Sequence, residues 1–250
     1  MAIEHLLRNA VTFSKTGGLE FAKNMKFFPH ASAVMISCVD GRVMPSKFLM
    51  VSPGTTYIVR NAGNFAPNTH DGKHCSCNVH ATFELGCIRG QAKDIIICGH
   101  SDCKAMGLLS SIGKLIEEKK LKPSDMSPLE KWVAENSMEC FEKLQTPDET
   151  ITFPLCPEYE SIPPLTLNRS MLRKLTEIDK LSQINVLKQM SNVYTQSLLA
   201  KKLRSGEIRV HGIWFALDTA RLHLFSRIRK GFIPVNDDSL GGLLGELSKL

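Results

Sequence analysis

Three short apolar runs constrain this chain more than anything else in it. "ASAVMIS" (31–37), "TTYIVRN" (55–61) and "DIIICG" (94–99) each have the length of a single strand. None alternates cleanly between apolar and polar residues. A strand with one face in water alternates, whereas a strand covered on both faces reads as a continuous apolar run. Helical patterns are interleaved with these runs. One is predicted from about Ser76 to Arg89, ending before Gly90, and another from a cap at Ser101 or Asp102 to about Lys120. The order of strands and helices predicts an α/β fold, with a central, mainly parallel sheet flanked by helices.

The flanks are simpler. Ile3, Leu6, Leu7, Ala10 and Val11 have helical spacing, Gly17-Gly18 breaks that helix, and Leu19, Phe21, Ala22 and Met25 begin another. Seven of the twelve prolines fall between 121 and 165, which predicts a loop-rich excursion with a short helix around 128–145. A long helix is predicted from Ile178 to Leu203, followed by a strand pair at 208–217 and 221–226. The tail beyond Gly241-Gly242 shows few packing signals. Residues 1–250 therefore read as one α/β domain with a Pro-rich insertion at about 121–175.

Composition excludes some classes. The net charge of +6 is spread along the chain and aromatic residues are only 7%, which argues against nucleic-acid binding. No apolar run approaches the roughly 18 residues that a membrane span needs. The N-terminus has no apolar block or small-residue cleavage site. Arg8, Lys15, Lys23 and Lys26 outnumber Glu4 and Glu20 there, so it reads as an ordinary helix, with a weak organelle-targeting segment as the alternative. A cytoplasmic location is expected, or alternatively the mitochondrial matrix. Eight cysteines in an intracellular chain point to metal binding or burial rather than disulfides.

The strand ends carry the chemistry. The first run leads into "SCVDGRV", where Cys38, Asp40 and Arg42 stand at alternate positions, which on an extended chain point one way. The third leads into "GHSDC", with His100 and Cys103. Sites in open parallel sheets form beyond the carboxyl ends of the strands. Cys38, His100 and Cys103 can thus converge as a Cys-His-Cys set that suits zinc with one position left open. Asp40 is a fourth ligand or a hydrogen-bond partner of metal-bound water, and Arg42 can grip its carboxylate with two bonds. Cys98 is expected to face the other side of its strand. Cys87 reads as core, and Cys140 and Cys156 have no evident partner. Cys75 and Cys77 lie near His70, His74 and His80, with a spacing that fits no standard zinc module.

These motifs resemble the β-class carbonic anhydrases, and the animal members in particular. The match comprises C-x-D-x-R at Cys38-Val39-Asp40-Gly41-Arg42 and H-x-x-C at His100-Ser101-Asp102-Cys103. It also takes in "VRNAGN" (59–64), "FELG" (83–86) and "VHGIWFALDTARL" (210–222). The resemblance covers roughly residues 1–120 and 180–225. It implies one zinc ion per chain on Cys38, His100 and Cys103, with Asp40 and Arg42 as a catalytic dyad. It also implies a homodimer or tetramer whose N-terminal helices embrace the partner. Plant-type members have a glutamine where this chain reads "FFPHAS" (27–32), and a tyrosine where it has Leu85. A backbone amide near Gly63 is expected to position substrate instead, with Phe65 lining the pocket.

The implied reaction is reversible hydration of carbon dioxide to bicarbonate and a proton, by zinc-bound hydroxide oriented by Asp40. His30, His70, His74 and His80 are candidate proton shuttles. Two alternatives share these residues. One is a zinc hydrolase of carbon disulfide or carbonyl sulfide on the same scaffold, and the other is a non-enzymatic, zinc-stabilised interaction protein.

Overall fold

The computed structural model describes residues 2–25, 30–69 and 77–249. Two N-terminal helices, α1 (Ala2–Thr16) and α2 (Gly18–Met25), meet at the predicted glycine break. Then follow β1 (Ala33–Cys38), the short α3 (Pro45–Phe48) and β2 (Thr56–Asn61). Helix α4 (Asn78–Phe83) continues as a π-helical turn, Glu84–Arg89. Strand β3 (Asp94–His100) leads into α5 (Lys104–Glu117).

The Pro-rich segment is more ordered than its composition predicts. It holds α6 (Pro128–Gln145) and an antiparallel pair, β4 (Thr150–Phe153) with β5 (Leu165–Asn168). Helix α6 starts with a capping box, in which Ser127 and Glu130 satisfy each other's backbone N–H groups. Helix α7 (Glu177–Val193) ends well before Leu203. The predicted long helix is broken by a 3-10 turn at Ser197–Leu199 before α8 (Ala200–Arg204). Strands β6 (Arg209–Ala216), β7 (Arg221–Ser226) and β8 (Gly231–Pro234) follow, and then α9 (Asp237–Leu247). The tail is thus structured. Asn236 caps α9, and Glu246 accepts from Ser226 Oγ and Arg227 N–H, which fastens the helix to the end of β7.

The main sheet has the order β2-β1-β3-β6-β7-β8. Its first four strands are parallel, and β7 and β8 add on antiparallel. This is the mainly parallel α/β architecture that the apolar runs predict. Val34, Ile36, Ile95 and Ile97 face a large core completed by side chains of α4 to α7. Helix α7 packs closely on β3 and β6 because both strands have a glycine beneath it. A Cβ at Gly99 would lie 2.5 Å from Val186, and one at Gly212 would lie 2.6 Å from Met190.

The other face of the sheet is thinner. Met35, Cys98 and Ile213 form a small buried cluster rimmed by partly buried Ile58, Ile96, Leu222 and Leu224. Among the described residues no helix is long and apolar enough to cross a membrane.

Candidate active site

Strands β1 and β3 run parallel and side by side, so their carboxyl ends emerge together. Cys38 is the last residue of β1, His100 the last of β3, and Cys103 the N-cap of α5. The predicted caps Ser101 and Asp102 lie outside the helix, since the chain turns first, with Asp102 at φ +50°. This turn brings Cys103 back over the sheet. One ligand atom from each of Cys38, His100 and Cys103 lies within 4.8 Å of the others, and all three residues are buried.

The hydrogen bonds of this group leave its donor atoms facing one another. His100 Nδ1 lies 2.8 Å from the Ser101 carbonyl oxygen. A carbonyl only accepts, so the proton sits on Nδ1 and the lone pair on Nε2. Nε2 is buried and has no hydrogen-bond partner among the described residues. An orphaned imidazole lone pair beside two sulfurs fits a metal that favours nitrogen and thiolate ligands, such as zinc.

The two thiols differ. The Cys38 thiol is held below the usual range chiefly by the neighbouring Cys103 thiol, which outweighs the opposing effect of burial. The Cys103 thiol is pushed up by its bond to Cys38 and by burial, although the amides of Ala105 and Met106 at the start of α5 favour its thiolate. Without a cation, two thiolates repel each other in so small a space. A bound divalent ion would remove that repulsion.

Beyond Cys38 the chain does not stay extended. A tight turn, closed by Val43 N–H to the Asp40 carbonyl at 3.0 Å, brings Arg42 back beside Asp40. This turn, and not strand alternation, makes the pair. Arg42 donates Nε–H to Asp40 Oδ1 at 3.0 Å and Nη2–H to Oδ2 at 2.7 Å, and its backbone N–H adds a third bond to Oδ1 at 3.0 Å. The guanidinium holds the Asp40 carboxyl well below the usual carboxylate range.

Two residues that sequence reasoning passed over complete this geometry. Asp102 accepts Nη1–H of Arg42 at 2.6 Å and, through its carbonyl, Nη2–H at 3.0 Å. Arg60 donates to the carbonyls of Cys38, Asp40 and Val43 at 2.7–2.8 Å and so pins the turn from behind. The signal for Arg60 was a charged residue near the end of an otherwise apolar strand.

Gly63 and Phe65 lie on the loop after β2. Gly63 has φ +89°, and a Cβ there would meet the Phe65 ring at 2.5 Å. Phe65 is itself buried beneath the loop. Leu85 is half exposed on the π-helical turn. Cys98 packs with Met35 and Ile213, away from the core that holds Cys38 and Cys103. Cys87 and Cys140 are buried in the core, and Cys156 donates to the Tyr194 carbonyl. His80 bonds Gln196 at 3.0 Å, and His30 is exposed. Lys26, residues 27–29 of "FFPHAS", His70, His74, Cys75 and the predicted helix start at Ser76 lie outside the described residues.

A family model described as carbonic anhydrase matches residues 33–222, well over half of the chain. The β-carbonic anhydrase 1 of Caenorhabditis briggsae is 31% identical over 260 residues, covering 99% of this chain and 93% of that protein.

The chain belongs to the β-carbonic anhydrase family.

As a member it is a carbonate dehydratase, a lyase. Solved β-carbonic anhydrases share its fold. The enzyme CcaA superposes with a TM-score of 0.70 at 19% identity, covering 94% of this chain and 100% of that one. A tetrameric β-carbonic anhydrase of Sordaria macrospora gives 0.62 at 17% identity, covering 90% and 97%. In this carbonic anhydrase, Cys38, His100 and Cys103 form a group that could hold a metal ion, with the Asp40–Arg42 pair on the turn that follows Cys38.

Proposed function

We propose that Cys38, His100 and Cys103 hold one zinc ion, and that Asp40 and Arg42 direct the reversible hydration of carbon dioxide. The observation that carries this is the buried His100 Nε2, which has a lone pair and no hydrogen-bond partner among the described residues, in a Cys38-His100-Cys103 group whose ligand atoms lie within 4.8 Å of one another. When bound, zinc supplies a nucleophile by lowering the pKa of water towards about 7 and leaves a fourth position open.

The chain's own residues do the rest. Ionised Asp40 only accepts hydrogen bonds, so it takes one from the attacking water and turns the oxygen lone pair towards carbon dioxide. Arg42 bonds both carboxylate oxygens, which keeps Asp40 ionised and fixes its orientation. Asp102 and Arg60 hold the guanidinium and the turn in place. Gly63 and Phe65 wall the substrate side, Gly63 by letting the loop approach Cys38 and Phe65 by supporting it from below.

We also infer a homodimer or tetramer in which the N-terminal helices cover a partner. Ile3, Leu6, Leu7, Val11 and Phe13 of α1 are each more than half exposed, and the thin face of the sheet leaves Ile58, Ile96, Leu222 and Leu224 only partly covered. An apolar helix stripe and an under-covered apolar face complement each other.

The test is metal content together with the carbon dioxide hydration rate, for wild type, Cys38→Ser and Asp40→Asn. Wild type should carry about one zinc per chain. Cys38→Ser should lose the metal. Asp40→Asn should keep the metal and lose about 10²-fold or more in rate, as expected for a group acting on the attacking water. Full activity without metal, or an Asp40→Asn variant with the wild-type rate, would refute the proposal.

A further inference from the structure

The positive charge is spread along the sequence, but the fold gathers part of it in one place. Strands β3 and β6 are parallel, with His100 beside Phe215 at one end and Asp94 beside Arg209 at the other. At that second end, away from the Cys-His-Cys group, lies a cavity of about 350 Å³. Four cationic side chains line it: Arg204 at the end of α8, Arg209 at the start of β6, Arg227 just past β7 and Lys249 just past α9. No aspartate or glutamate is among the described residues of its lining. A concave space walled by charge of one sign focuses the field and draws in an anion.

Part of this charge has other work. Arg209 pairs with Asp94 at 2.9 Å and Arg204 with Glu158 at 2.6 Å, and both acids stand outside the lining. Arg204 and Lys249 also lie at helix C-termini, where a cation is favoured without a ligand. Neither reason covers Arg227, which makes no ion pair among the described residues. Its Nη1–H donates to the Pro163 carbonyl at 3.2 Å and its Nη2–H to the Tyr194 hydroxyl at 3.1 Å. Both acceptors are neutral. Glu246 is taken up by Ser226 Oγ and by the backbone N–H groups of Arg227 and Ile228. The guanidinium is therefore held in place with its charge unbalanced, and Nε–H and one proton on each Nη are left for a ligand. Tyr194 is buried, with its ring edge-on to Tyr159 at 5.2 Å, so its hydroxyl is fixed as well. That hydroxyl accepts from Arg227, and its own proton has no acceptor among the described residues.

We propose that this cavity binds a small phosphomonoester, with its phosphate group on Arg227 and the Tyr194 hydroxyl and its charge balanced by Arg204, Arg209 and Lys249. A guanidinium fork matches two phosphate oxygens with parallel bonds. One doubly charged head answers several cations at once. The volume exceeds that of a bare phosphate ion and falls at the small end of ligand pockets. Leu203 and Ile208 give an apolar wall for the organic part. The site shares no residue with the catalytic group.

The test is calorimetric titration of the holoenzyme with ribose 5-phosphate, with ribose and citrate as controls. It is run at about 0.1 M salt, where charges more than about 10 Å apart are screened. Wild type should bind ribose 5-phosphate at one site per chain and should not bind ribose. Arg227→Gln should weaken binding by about tenfold or more, as expected for losing charged hydrogen bonds. Arg227→Lys should weaken it too, since it keeps the charge and loses the fork. Lys249→Gln should act in the same direction, and its exposed position past α9 leaves the fold untouched if the Arg227 variants do not fold. Each folded variant should keep the wild-type kcat/KM for carbon dioxide hydration, and Cys38→Ser should keep the wild-type affinity for ribose 5-phosphate. No binding by wild type, or wild-type affinity in the folded variants, would overturn the proposal. Binding that survives in Arg227→Gln and is lost in Cys38→Ser would place the phosphate at the catalytic centre and overturn it as well. Tighter binding of citrate would overturn the assignment to a phosphate.

Discussion

Arg42 serves two carboxylates at once, and its value lies in direction more than in strength. Its side chain and that of Asp102 are about half exposed, so water screens their attraction. The two parallel bonds to Asp40 still leave that carboxylate one orientation. Asp102 was not legible as a partner in the sequence, because an acid between two ligands looks like any turn residue. The ligands were legible, because Cys38 and His100 stand where strands end and Cys103 follows His100 by three residues. Gly63 shows how much one residue can decide here. A side chain there has to adopt φ +89° and also displace the Phe65 ring. Gly63→Ala should cost about 3 kcal/mol from strain and overpacking together, which chemical denaturation would measure.

Among the elements, α7 is where the sequence was most misleading. Asp179, Ser182, Asn185, Gln189 and Asn192 recur every three or four residues, a pattern that ordinarily marks a solvent-facing stripe. In the structure the stripe faces inwards. Asp179 accepts the Asp102 N–H, Ser182 donates to the His100 carbonyl, and Asn185, Gln189 and Asn192 bond the loop from Gly63 to Ala66. The helix thus supplies backbone partners to both loops that carry site residues. Asn192→Leu leaves the buried Ala66 carbonyl without its partner, and thermal or urea unfolding should show a loss of about 2 kcal/mol.

At the amino end of the sheet, Asp94 joins β3 to β6 through Arg209 at 2.9 Å and His211 at 2.9 Å. Burial opposes ionisation of Asp94, but the bonds from His211 and Arg209 outweigh it and hold its carboxyl below the usual range. A lowered folded-state pKa adds stability above the unfolded value of about 4, and that stability is lost as pH falls through the folded value. The stability difference between wild type and Asp94→Asn should therefore be constant near neutral pH and shrink below about pH 4, as denaturant midpoints across that range would show.

For the molecule as a whole, a partner chain is proposed to cover the apolar stripe of α1 and the thin face of the sheet. If a partner chain does, a charge on that stripe breaks the assembly and leaves the chain folded. The double variant Leu7→Glu with Val11→Glu should sediment as a smaller species than wild type, with unchanged circular dichroism, because both side chains are already more than half exposed in the single chain. A variant with wild-type mass would remove α1 from the interface.

By itself the sequence determined strands β1, β2, β3, β6 and β7, but not β4, β5 or β8, together with the mainly parallel sheet and the Cys-His-Cys donor set. These follow from apolar periodicity and from the chemistry of residues at strand ends, both of which are local. Only the tertiary structure decided that the polar stripe of α7 turns inwards, that Arg42 divides its donors between Asp40 and Asp102, and that an insertion tryptophan, Trp132, bonds the Ala62 carbonyl. These contacts join segments far apart in the chain. A hydrogen bond exists only within a few tenths of an ångström of its proper length, and no pattern of residue types sets distances that fine.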